Sequence, residues 1–286
     1  MDSATTILIT GANGQLGKEF RELAVGFPAF HFLFAGSEEL RIEDKAAVDN
    51  FFEENSIQYC INCAAYTAVD KAETEKEIAL QVNAEAVAYL AATCKQYNAV
   101  FIHFSTDYVF NGEAHSPYLP DNNTLPVNFY GETKLLGELN ALKQNEKSII
   151  IRTSWVYSSF GKNFVKTMLR LMNEKESIGV VNDQFGSPTY AADLAAAVMK
   201  IVEQKDPQAG IYHYCNEGII SWHEFAMAIK EISGSSCIVN AIPSSAFPTP
   251  AKRPAYSALD TQKIQKVFGI DIPEWRQSLE RCIKLM

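Results

Sequence analysis

Residues 6–17 read Thr6-Ile7-Leu8-Ile9-Thr10-Gly11-Ala12-Asn13-Gly14-Gln15-Leu16-Gly17. A short β-branched, apolar run passes directly into glycines spaced three apart, and an amphipathic stretch follows over 17–24. The first half predicts a buried strand and the second a helix. Gly11 suits the tight turn between them, Gly14 lets a ligand approach the backbone, and Gly17 lets the helix lie close on the sheet. The first N–H groups of such a helix are unpaired and carry partial positive charge, so the junction is built for an anion such as a dinucleotide pyrophosphate.

The same rhythm continues outward. Apolar runs at 30–35, 57–62, 99–104 and 148–152 alternate with helical patterns at 46–54, 77–97 and 130–142. That alternation implies βαβ crossovers and an α/β fold with a doubly wound, parallel, Rossmann-type sheet. The strands are apolar throughout, as expected when both faces are covered. Beyond residue 154 the rhythm loosens. Helical patterns at 163–173, 193–203, 221–232 and 274–285 are separated by short strands near 178–181, 210–214 and 237–239, and four prolines within 243–254 predict an extended loop. The expected organisation is an NAD(P)-binding domain over 1–154, with 186–214 returning to it, and a smaller, interleaved C-terminal substrate lobe from 155–185 and 215–286.

Composition narrows the classes. The chain has 286 residues, 47% apolar and 21% charged, with 25 basic against 34 acidic side chains and a net charge of −9. Disorder is excluded, and the acidic balance argues against nucleic acid or an anionic membrane as partner. No apolar run reaches the ~18 residues of a membrane span, and the opening Met1–Thr6 lacks the basic region of a signal peptide. Six scattered cysteines, with Cys60 and Cys63 inside an apolar strand, suggest neither zinc nor a disulfide framework. The expectation is a cytoplasmic protein, a monomer or homodimer, with no metal site.

The choice between NADH and NADPH turns on the end of the second strand, Phe34-Ala35-Gly36-Ser37, where no acidic residue meets the adenosine ribose. Arg41 nearby can meet a 2′-phosphate, which favours NADPH. Of twelve tyrosines only Tyr130 has a lysine four residues on, Lys134. On a helix the two share a face, and an ammonium beside a phenol stabilises phenolate and tunes it for proton transfer near neutral pH. Upstream, Ser105 and Thr106 end the fourth strand of the sheet, where such folds place their active sites. Thr106 is thus a candidate to hydrogen-bond a carbonyl that Tyr130 protonates.

These residues resemble the extended, nucleotide-sugar branch of the short-chain dehydrogenase/reductase superfamily, and within it the dTDP-4-dehydrorhamnose reductases. The matching blocks are 11–17, 62–73, 105–110, 130–137, 152–157, 182–189 and 248–254, nearly the whole chain. The resemblance implies reduction of a 4-keto nucleotide sugar, dTDP-4-dehydro-L-rhamnose, to dTDP-L-rhamnose with NADPH or NADH. Other 4-keto nucleotide-sugar reductases, an epimerase, or a non-catalytic regulatory subunit of the same fold stand as alternatives. It further implies that Tyr130, Lys134 and Thr106 are catalytic. Gly11, Gly14, Gln15, Leu16, Gly17, Arg41, Ile42, Ala65, Tyr66, Thr67, Tyr130 and Lys134 would hold the cofactor, and Thr106, Asp107 and Trp155 the substrate. Asn83 would support the lysine. Apart from the resemblance, Arg253 in the proline-rich loop is a substrate candidate as a clamp for the nucleotide diphosphate, since guanidinium matches phosphate geometry, or else an anchor of its loop. Some relatives dimerise around Mg²⁺ through glutamates. Glu19 matches one such position and is otherwise read as a helix-surface residue. His103 reads as a core histidine and Trp222 as packing.

Overall fold

The computed structural model describes residues 5–286; Met1–Ala4, at the opening read above for a signal peptide, lie outside them. Six strands form one parallel sheet: β1 (Thr5–Thr10), β2 (Phe30–Ala35), β3 (Ile57–Asn62), β4 (Val100–Thr106), β5 (Ile149–Thr153) and β6 (Gly210–His213), in the order β2-β1-β3-β4-β5-β6. The period-2 pleat divides their side chains between two cores. Ile7, Ile9, Ile61, Ile102 and Ile151 face one, closed by the helix Ala191–Val202. Leu8, Cys60, Phe101 and Ile150 face the other, closed by the helices Lys45–Glu54 and Ala86–Gln96 and by part of Phe129–Gln144. The doubly wound α/β fold is therefore present, with each strand run apolar because both faces are covered.

The chain steps from β1 outward to β2 and returns to β3 on the other side, so the winding reverses between β1 and β3. Ligands of open α/β sheets lie in the crevice at such a reversal, beyond the carboxyl ends of the strands.

A third core, around Tyr157, Met168, Ile178, Phe225 and Leu279, belongs to the C-terminal lobe, where β-pairs 177–181 with 238–242 and 185–186 with 220–221 sit beside three helices. The helix Gln262–Phe268, grouped with this lobe by the sequence division, instead packs Ile264 and Phe268 into the sheet's first core. The proline-rich loop is irregular as expected, apart from one short turn at Ser244–Ala246. The pattern over 77–97 is not one helix. A π-helical turn at Gln81–Glu85 separates Lys76–Leu80 from Ala86–Gln96. No described helix is long and apolar enough to cross a membrane.

Candidate active site

The glycine turn forms the floor of a cleft of about 310 Å³ bounded by Gly11, Gly14, Gly36, Ser37, Leu40, Ile42, Ala64 and Ala65. Gly11 takes φ +61°, and a Cβ there would lie 2.5 Å from the Ala64 nitrogen. A Cβ on Gly17 would meet the Ala12 Cα at 2.6 Å, so this glycine sets how closely the helix approaches the strand. No side chain caps the helix Gln15–Ala24, and its first turn holds no acid. An uncapped helix end facing a cleft floored by glycine backbone fits a dinucleotide pyrophosphate.

Around that floor the other expected cofactor residues divide. Ile42 and Ala65 line the cleft. Leu16 turns its side chain into the core and offers only its backbone. Gln15 accepts a 2.9 Å bond from Asn163, which ties the lobe to the turn. Both main-chain polar groups of Tyr66 are held by the Asn83 side chain at 2.9 and 3.0 Å, and its phenol donates to Glu75; Thr67 is exposed. Arg41 is exposed at the rim with no ion pair among the described residues, and Glu39 accepts the Gly36 N–H at 2.8 Å.

Next to the cleft, Asn128 caps the helix Phe129–Gln144 and its amide donates 2.8 Å to the Lys252 carbonyl. The helix thereby presents Tyr130 opposite the end of β4. Burial pushes the Tyr130 phenol up to about 12, Asp107 adds to the rise, and the neighbouring Thr106 hydroxyl opposes it. The phenol is therefore protonated at neutral pH. Thr106 donates 3.0 Å to Asp107 and accepts the Tyr108 N–H at 3.2 Å. Asp107 is buried, its Oδ2 has no hydrogen-bond partner, and burial lifts its carboxyl to about 6 against moderation by Ser257 and Thr106.

Lys134 lies one turn beyond Tyr130 but does not bond to the phenol. Its Nζ donates 2.7 Å to the Phe104 carbonyl and stands 3.3 Å from His103 Nε2. Burial pushes the amine down to about 8, against the pull of Glu138. Asn83 reaches Thr133 at 3.1 Å rather than the lysine. Its carbonyl lies where a Cβ on Gly137 would sit, only 2.1 Å away. The π turn thus accommodates this close contact between helices, and π turns recur at functional sites.

On the lobe side, Phe164, Met168, Leu171, Val180, Trp222, Phe247 and Arg253 surround a mainly apolar cavity of about 390 Å³. Trp222, read from sequence as packing, lines it. Trp155 takes a left-handed backbone at φ +47° and stacks on Trp222 with centroids 3.5 Å apart. Arg253, a candidate diphosphate clamp, is held by both oxygens of Asp70 at 3.0 and 2.9 Å.

The chain matches the family model described as "RmlD substrate binding domain" over residues 5–286. It is 41% identical over 284 residues to the dTDP-4-dehydrorhamnose reductase of Aggregatibacter actinomycetemcomitans, covering 96% of this chain and 97% of that one. The chain belongs to the RmlD family. Among solved structures it is similar to a dTDP-4-dehydrorhamnose reductase of Clostridium acetobutylicum (40% identity, TM-score 0.95, 98% and 99% of the two chains). It is also similar to one from Bacillus anthracis in complex with NADP (36% identity, TM-score 0.95, 99% of each chain).

The plain sequence reading of Glu19 needs correction too. Glu19 is not a surface residue. It is 6% exposed, Ser158 donates to it at 2.6 Å, and burial raises its carboxyl. It seals the lobe to the glycine-turn helix. Among the described residues no cluster of three or more His, Cys, Asp or Glu side chains could hold a metal.

Proposed function

We propose that this chain reduces the 4-keto group of dTDP-4-dehydro-L-rhamnose to give dTDP-L-rhamnose with NADPH, NADH serving as the lesser donor. The observation that carries the reading is the meeting, at one strand end, of a protonated, half-buried phenol (Tyr130), a hydroxyl (Thr106) and a buried amine (Lys134) beside a glycine-floored anion cleft. The similarity to named reductases, one of them in complex with NADP, supports both reaction and cofactor.

Bound in the cleft, the reduced nicotinamide supplies the hydride for sugar C4. Gly11, Gly14 and Gly17 with the uncapped helix end hold the pyrophosphate, and Ile42 and Ala65 bound the adenosine side. Tyr130 delivers its phenolic proton to the C4 oxygen as charge develops there, and Thr106, its single O–H turned from Asp107, donates a hydrogen bond to the same oxygen. A phenol raised to about 12 is a reluctant donor, and a charged Lys134 brought beside it favours the phenolate left behind. The lobe cavity takes the nucleotide: Trp222, backed by Trp155, offers an aromatic face to the base, and Arg253 released from Asp70 reaches the diphosphate. The cytoplasm is the proposed setting; all six cysteines are free thiols.

The test follows NADPH and NADH absorbance with a panel of 4-keto nucleotide sugars. Stoichiometric oxidation with the dTDP-linked sugar is expected. Turnover with no net cofactor oxidation would point to an epimerase, and cofactor binding without turnover to a regulatory subunit.

A further inference from the structure

Thr10 and Asn62, at the carboxyl ends of β1 and β3, stand in register with His103 midway along β4. With Lys134 they form a buried polar row. Its hydrogens can be assigned from one end. The Ala64 backbone N–H can only donate, and it donates to Asn62 Oδ1 at 3.2 Å, where Thr10 also donates at 2.6 Å. The amide nitrogen of Asn62 is therefore turned to His103 and donates to Nδ1 at 3.0 Å. An imidazole accepting at Nδ1 carries its hydrogen on Nε2. That N–H points at Lys134 Nζ, 3.3 Å away. An ammonium there would set donor against donor with no acceptor between them. A neutral amine resolves the conflict: its lone pair accepts from His103, one N–H goes to the Phe104 carbonyl, and one N–H stays uncommitted.

We infer that His103 is a positioning residue that holds Lys134 as a neutral, proton-accepting amine in the cofactor-free protein, its tautomer set by Asn62. Of the titratable and charged groups on the elements packed around this amine, those facing it are Tyr130 and Glu138 of its own helix, Asp107 after β4 and Arg152 of β5; Glu85, Glu132 and Lys143 are exposed to solvent and Asp70 is paired with Arg253. Glu138 would favour the ammonium, but both its oxygens are taken by Arg152 at 2.9 and 2.7 Å. Burial disfavours a charge on either partner, lowering the imidazole and the amine alike. Given the reductase reading, Lys134 must gain a proton and leave His103 before it can assist Tyr130. The lysine is then a switched group, uncharged above its midpoint of about 8 and protonated below it.

Nitrogen NMR of histidine-labelled, cofactor-free protein reports the tautomer directly, with His103 assigned by its loss in His103→Phe. The Nε2–H form is expected at about pH 8.5–9, above the amine's midpoint; an Nδ1–H form or an imidazolium there overturns the inference. The Lys134 side-chain resonance, assigned by its loss in Lys134→Met, gives the amine's midpoint. Removing the donor in His103→Phe should raise that midpoint by about one pH unit, and His103→Gln, whose amide N–H can donate, should restore most of it. An unmoved midpoint in folded His103→Phe contradicts the inference. Should that variant not fold, the His103→Gln spectrum supplies the assignment and the wild-type tautomer decides. No substrate or cofactor is involved, so failure here is distinguishable from failure of the reductase assay.

Discussion

On the sheet side of the cleft, Thr10, Asn62, His103 and Lys134 leave no side-chain polar atom without a partner, while at the mouth the Ser105 hydroxyl and Asp107 Oδ2 are buried with none. The arginine–carboxylate pairs differ in the same sense. Arg152 and Glu138 are almost fully buried, whereas Arg253 and Asp70, equally bidentate, join the proline-rich loop to the short helix Val69–Ala72 with side chains 23% and 39% exposed. A buried pair is costly to break because a stranded charge remains; a partly exposed one contributes little and can exchange partners. The sheet side is thus fully paired before any ligand arrives, and the mouth keeps unpaired groups and a releasable arginine for what binds there.

Variants can break or sharpen this contrast. The largest effect is expected from Tyr130→Phe, which should lower turnover about 10²–10⁴-fold with cofactor binding retained, measured by NADPH oxidation and fluorescence titration. Next, Glu138→Ala strands Arg152 and should cost about 3–5 kcal/mol in denaturant unfolding. Arg253→Ala should cost less than about 1 kcal/mol of stability; equal losses at the two sites would erase the distinction.

Asp107→Asn should act in the opposite direction. The folded carboxyl titrates at about 6, above the 3.8 of the free group, so the native state binds the proton more tightly than the unfolded chain. Stability is then lost as pH rises through 3.8 towards 6 and stays lost above it. An amide escapes this, so the variant should be more stable at pH 7–8 by about 2–3 kcal/mol, with the gain vanishing below about pH 4, as followed by unfolding across pH. A smaller change is expected for Trp222→Ala, an about tenfold rise in KM for the nucleotide sugar with little change in kcat. Smallest of all, Arg41→Ala should raise KM for NADPH about fivefold and leave NADH unaffected.

What could be read from the sequence was what depends on near neighbours in the chain. The glycine turn follows from glycine's dihedral freedom and an apolar run, and Tyr130 and Lys134 are four residues apart on one helix. Thr106 was placed because β4 visibly ends there. The rest depends on residues far apart in sequence. Lys134 meets His103, thirty-one positions away, and no local pattern announces it. The π turn at Asn83 answers to Gly137 on another helix, so 3.6-residue periodicity alone predicts an unbroken run. Glu19 reads as a polar position of an amphipathic helix, yet it is buried against the lobe, where Ser158 donates to it. Trp155 and Trp222 were separated by which strand end each adjoined, whereas the fold stacks them and gives the cavity wall to Trp222.

The most direct measurement of the central claim uses NADPH carrying deuterium at the transferable position of the nicotinamide. The account predicts one deuterium at sugar C4 of the product for each NADP⁺ formed, with the hydroxyl hydrogen taken from solvent. Product without deuterium, or a changed sugar with the cofactor still reduced, would contradict it.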